Sequence, residues 1–162
     1  MGSGYKKICP KCSFEFSSYT GVGFLFPKVY AETVQKAKEG KLGQELQIFF
    51  EEHNNGAINA EKVTLCCERC GHLANGKDLT MYVPKNNEQG AISHGNWCVA
   101  IPFEGAEYVS GSDLEEYYEE YASYPHKCEE CGGKMHIVGD GEDLFCPQCK
   151  VPIETSEVYM WD

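Results

Sequence analysis

Apolar residues along the chain come in short bursts broken by glycines and polar turns, and their spacing alternates between strand-like and helical. Residues 8–16 read as a cysteine turn entering a strand, after which Gly21-Val22-Gly23 redirects the chain into Phe24-Leu25-Phe26. Pro27 suits the first turn of a helix, where its missing N–H costs nothing. A helix over 27–38 would place Tyr30, Val34 and Ala37 on one face and stop at Gly40. A second, over 42–53, carries Leu42, Leu46, Phe49 and Phe50 at helical spacing and leaves through Asn54-Asn55-Gly56, so the two predict a helical hairpin. Short strands are expected at 63–65, 79–83, 97–103, 135–138 and 158–161, with the polar stretch 85–95 as the main linker. Ser112-Asp113-Leu114-Glu115 has the form of a capping box, which predicts a helix running to about Tyr121 with Leu114, Tyr117, Tyr118 and Tyr121 on one side.

Composition adds chemistry to this pattern. The chain has 162 residues, 42% hydrophobic and 24% charged, an ordinary globular balance. No window approaches the length of uninterrupted apolar sequence that a membrane helix needs, and the Lys-dotted, cysteine-bearing start is unlike a signal peptide, so a cytoplasmic location is expected. Fourteen Lys and Arg against twenty-five Asp and Glu give a net charge of −11, which opposes the approach of a long polyanion. Eight of the ten cysteines form Cys-x-x-Cys pairs: Cys9/Cys12, Cys67/Cys70, Cys128/Cys131 and Cys146/Cys149. Secreted disulfide frameworks seldom repeat that spacing four times, whereas two such turns aim four sulfurs at one point and complete a tetrahedral thiolate site.

Taken in chain order, the pairs predict two sites. The C-terminal one joins Cys128 and Cys131 to Cys146 and Cys149 across one short hairpin; the N-terminal one joins Cys9 and Cys12 to Cys67 and Cys70 across the helical hairpin. The longer gap is tolerable because closure entropy grows only logarithmically with loop length. Cys66 competes with Cys67 for one position, but only Cys67 stands three residues before Cys70, so Cys67 is the expected ligand. Eight thiolates and two Zn2+ would bring the net charge to about −15. Iron is the less favoured metal.

These Cys-Pro-x-Cys and Cys-x-x-Cys-Gly knuckles resemble the zinc-ribbon class, which includes the rubredoxin-like iron proteins, and the Gly-Val-Gly-Phe-Leu-Phe-Pro insert is similar to small uncharacterised bacterial zinc-ribbon proteins. The resemblance implies metal binding and no particular activity. The expected fold is α+β: two zinc-ribbon units of short antiparallel strands, the first with a helical-hairpin insert. The expected blocks are 1–84 for the N-terminal ribbon, 85–126 for linker, strand and acidic helix, and 127–162 for the C-terminal ribbon.

All four positions of each site are filled by cysteine, with no place for a reactive water, so the leading functional expectation is a non-catalytic interaction or adaptor protein. Residues 104–130 carry nine acidic side chains against Lys127 alone, a docking face for a partner with a basic surface or simply a solvated one. The competing reading is a nucleic-acid-binding regulator using Lys6, Lys7, Lys11 and Arg69 clustered at the first site; the third is an enzyme or redox carrier. Gly21-Val22-Gly23 lacks the Lys-Ser/Thr of a phosphate loop. None of His53, His72, His94, His126 and His136 pairs with a recognisable nucleophile, and Cys98, within Trp97-Cys98-Val99-Ala100-Ile101, reads as a buried thiol.

Overall fold

The computed structural model describes residues 2–85, 93–94 and 107–161. The expected strand at 97–103, Cys98 and most of the expected linker lie outside these residues. The protein is α+β, with three helices and small antiparallel sheets among the described residues. It divides into two compact units, each assembled from separated stretches of chain: unit 1 comprises Met1–Gly23, Glu61–Lys77 and Pro125–Asp162, and unit 2 comprises Phe24–Ala60 and Asp78–Tyr124. The division differs from the consecutive blocks expected from the sequence, because strand pairing joins the two ends of the chain.

Unit 1 holds two three-stranded sheets. In the first, β1 (Gly2–Ile8) is central, flanked by β2 (Glu15–Thr20) and by β11 (Glu154–Trp161), which returns from the far end of the chain to pair Gly2 with Trp161 and Ile8 with Glu154. Glycine is a poor strand former, but here its bareness is used. A Cβ at Gly2 would run into the Trp161 ring and one at Gly4 into the Tyr159 ring, so the two rings lie directly over the β1 backbone. In the second sheet, β4 (Lys62–Cys67) is central between β5 (Leu73–Lys77) and β10 (Met135–Ile137). The sheets are tied by Asn75, whose side chain accepts from the Tyr19 N–H and donates to the Ser17 carbonyl, and by reciprocal backbone bonds between Gly21 and Lys62.

Unit 2 is built on α1 (Phe26–Lys38) and α2 (Gln44–Glu52), which follow each other and pack together. Pro27 lies in the first turn of α1, and Lys36 and Lys38 in its last turn complement the helix dipole. Thr33, rather than the expected Val34, joins Tyr30 and Ala37 on the buried face, its hydroxyl donating to the Val29 carbonyl at 2.5 Å. Beside the helices runs the sheet β3 (Ala57–Ile58), β6 (Met81–Pro84), β9 (Tyr118–Ala122), and a two-stranded pair joins β7 (Ser93–His94) to β8 (Glu107–Tyr108).

The third helix departs from expectation at both ends. α3 spans Gly111–Tyr117 and its capping box is framed two residues early: the Ser110 hydroxyl accepts from the Asp113 N–H at 3.1 Å and the Asp113 carboxylate accepts from the Ser110 N–H at 2.9 Å. From Tyr118 the chain is a strand because β6 offers its edge, pairing Pro84 with Tyr118 and Val83 with Glu119. Leu114 and Tyr118 are buried as expected, while Tyr117 and Tyr121 are left exposed.

Candidate metal centres

The four cysteine pairs occupy four copies of one backbone device. The N–H of the first cysteine donates to the carbonyl five residues on, Cys9 to Phe14, Cys67 to His72, Cys128 to Gly133 and Cys146 to Val151, at 2.8–2.9 Å. The first cysteine's carbonyl accepts in turn from the N–H four residues on. The residue after the second cysteine takes a left-handed conformation, at Ser13 (φ 58°), Gly71 (φ 76°), Gly132 (φ 67°) and Lys150 (φ 58°). This turn leaves N–H groups aimed at sulfur: Lys11 at Cys9, Cys70 at Cys67, Gly133 at Cys131 and Cys149 at Cys146, all at 3.4–3.5 Å.

All eight expected cysteines come together in two groups of four, but with partners other than those expected. Cys9, Cys12, Cys146 and Cys149 form an outer cluster, and Cys67, Cys70, Cys128 and Cys131 an inner one, with the four sulfurs of each lying within 4.8 Å of one another. The pairing is nested rather than sequential, and the ladders explain why. Knuckles one and two are the turns of the hairpins β1–β2 and β4–β5; knuckle three leads into β10, which adds to β4, and knuckle four into β11, which adds to β1. Each late knuckle therefore arrives beside the hairpin that its following strand completes. Each doubling of loop length costs only about 0.6 kcal/mol, less than a run of ladder bonds returns. Cys66 stays out of both clusters, half-buried against the group formed by Cys9, Leu73, Leu144, Cys146 and Ile153.

The geometry fits a tetrahedral metal. Sulfur separations of 3.6 Å for Cys12–Cys146, 3.5 Å for Cys67–Cys131 and 3.8 Å for Cys70–Cys128 match the edge of a tetrahedron with metal–sulfur bonds of about 2.3 Å, and far exceed the ~2 Å of a disulfide. Electrostatics points the same way. The Cys70 N–H stabilises the Cys67 thiolate and, despite burial, brings it down to about 6. Burial works against ionisation of Cys146, yet the N–H groups of Cys149 and Gln148 and the thiols of Cys12 and Cys9 outweigh it and bring it to about 7. Their neighbours go the other way: the His72 N–H favours the Cys70 thiolate, but burial and the hydrogen bonds to Cys131, Cys67 and Cys128 push it up to about 12. At Cys12 the Phe14 N–H is likewise outweighed, chiefly by Cys149, and the thiol rises to about 12. Crowded sulfurs thus share protons, or share a central dication that lets all four ionise.

The basic residues expected at the first site are divided between the two clusters, because the knuckles that carry them are. Lys11 lies in the first knuckle of the outer cluster, where its N–H points at the Cys9 sulfur, and Arg69 in the first knuckle of the inner one, where its guanidinium donates to the Cys131 carbonyl at 3.1 Å. Lys6 pairs with Glu15 at 3.1 Å, and Lys7 donates to the Thr155 hydroxyl. A cation the sequence did not single out, Lys150, donates from the outer knuckle to the Cys70 carbonyl of the inner one at 2.7 Å. Of the histidines, His53 packs between Phe49 and Tyr121, and His136 pairs with Glu142 at 2.9 Å. No helix among the described residues is long and apolar enough to cross a membrane. Compared with family models, curated proteins and solved structures, the chain matches none.

Proposed function

We propose that the chain is a zinc-binding, non-catalytic interaction or adaptor protein whose two cysteine clusters are structural four-cysteine zinc sites of the zinc-ribbon type. The observation that carries this reading is that each cluster offers four sulfurs at tetrahedral spacing, two of them buried, on turns that point N–H groups at the sulfurs. A catalytic zinc keeps a position open for water or substrate; four cysteines close it. Such a site contributes folding energy, on the order of 10 kcal/mol in small zinc domains. A cytoplasmic setting goes with this reading, because four Cys-x-x-Cys pairs suit thiolate metal sites in a reducing compartment rather than a secreted disulfide framework. A basic protein partner is favoured by the net charge of −11 and by exposed carboxylates such as Glu115, Glu116, Glu119 and Glu120.

Native mass spectrometry tests the metal assignment: two zinc ions per chain are expected, and fewer would overturn it. Visible thiolate-to-metal absorbance of the isolated protein would assign iron instead. Salt-sensitive submicromolar binding to DNA or RNA would replace the adaptor reading with nucleic-acid recognition.

A further inference from the structure

We propose that the free edge of β11, over Glu157–Trp161, docks an extended peptide in which basic and aliphatic residues alternate, added as a fourth strand to the sheet β11-β1-β2. The proposal rests on the adaptor reading above and names the partner's chemistry. β11 is eight residues long and pairs on one side with β1; its other side meets no strand among the described residues. Natural sheets usually shorten, cover or charge such an edge, since its unpaired N–H and C=O groups are a template for another strand. Here Ser156 makes a bulge where the register steps from Lys6↔Glu157 to Lys7↔Thr155, which confines the regular edge to the five residues beyond it.

The two faces of that edge call for different side chains. Glu157, Tyr159 and Trp161 stand opposite Lys6, Gly4 and Gly2, on the face that already attracts a cation: the Lys62 ammonium sits 3.7 Å from the Trp161 ring centroid. Val158 and Met160 point to the other face, 68% and 69% exposed, more than any other large apolar side chain among the described residues. Side chains on a docking strand alternate with period two, and cross-strand pairs of opposite charge, or of two aliphatics, stabilise such a ladder. A peptide that sets lysine or arginine beside Glu157 and along the ring-bearing face, and valine or leucine beside Val158 and Met160, meets both faces at once, although the rings themselves lean over β1 and Trp161 is already held by Lys62. A second copy of this chain is the poorer occupant because each molecule carries −11.

The test uses the zinc-loaded full chain and a capped peptide of three Lys-Val repeats, beside a block peptide Lys-Lys-Lys-Val-Val-Val and a backbone N-methylated form of the first. The alternating peptide is expected to bind and to slow amide exchange within 157–161, while the block and N-methylated peptides bind about ten-fold more weakly or worse. Val158→Lys/Met160→Lys should lose binding by a similar factor while both zinc ions are retained. Equal binding of the block peptide, protection appearing on β9 instead, unchanged binding by the double variant, or dimerisation through β11 would each overturn the proposal. Failure of every peptide while the double variant still captures the native partner sinks the β11 edge alone; nucleic-acid binding without protein capture sinks the adaptor reading with it.

Discussion

Ser13, Gly71, Gly132 and Lys150 hold the same place in their knuckles and the same left-handed backbone, yet only two of them are glycine. Glycine after the second cysteine is the easy solution at that φ, but the signal legible in the sequence was the Cys-x-x-Cys spacing that all four knuckles share. The identity of the eight clustered cysteines was legible at this scale because a knuckle is local: a turn and three-residue spacing suffice. Cys66 and Cys67 give the sharpest test. Cys67 lies 3.5 Å from Cys131 within the inner cluster, whereas Cys66 faces the apolar group around Leu73 and Leu144. Cys67→Ser should lose at least the inner zinc, since a hydroxyl replaces a thiolate poorly on zinc, and Cys66→Ser should keep both, as read by native mass spectrometry. The pH response follows from the same sulfurs. Cys67 and Cys146 are lowered to about 6 and about 7, so the thiolates that attract metal persist above those values and are lost as pH falls through them. Zinc uptake by the metal-free chain should therefore weaken as pH falls through about 7 and about 6, and an affinity flat between pH 8 and 5 would contradict this.

The two metal centres differ in how far each depends on the other's elements. The inner cluster is surrounded by its own strands: Leu65 and Met135 pack against Cys67 and Cys128, with Val63, Ala74 and Ile137 at the margin. The outer cluster borrows, taking Cys66 from β4, Leu73 from β5 and Val138 from just beyond β10, while Lys150 hydrogen-bonds to the Cys70 carbonyl. Loss should accordingly be asymmetric. Cys149→Ser is expected to release one zinc and leave the other, whereas Cys70→Ser should loosen both, seen as faster release of the second equivalent to a chelator. Equal behaviour of the two variants would show that the centres are independent. None of this order was visible in the sequence. Helices α1 and α2 were legible from spacing, and β4 and β6 from their apolar runs, but which knuckle meets which is decided by ladders between residues far apart in the chain. α3 was misread for a related reason, since its last expected turn is claimed by β6, and no local propensity announces a strand edge waiting for it.

At the scale of the whole molecule the two units are stabilised by different means. Unit 2 buries Phe26, Tyr30, Leu46, Phe49, Ile58, Met81 and Tyr118 and contains neither cysteine cluster, whereas the two core clusters of unit 1 are five and four residues, two in each being clustered cysteines. So small an apolar core would leave unit 1 dependent on the metals proposed for its two cysteine clusters. Charge divides as unevenly: unit 2 has five lysines against fourteen Asp and Glu, and unit 1 nine Lys and Arg against eleven. Metal removal should thus act on one unit before the other. Unit 2 is made of two stretches joined through Glu61–Lys77, and if that segment lost its structure it would become a loop of ordinary length, costing unit 2 about 2–3 kcal/mol of closure entropy at most. On treatment with a strong chelator, amides in β1, β4, β10 and β11 should exchange freely while those of α1 and α2 stay protected and most of the helical dichroism survives. A single cooperative loss of both signals at one chelator concentration would show instead that the second core cannot stand without the metal-bound one.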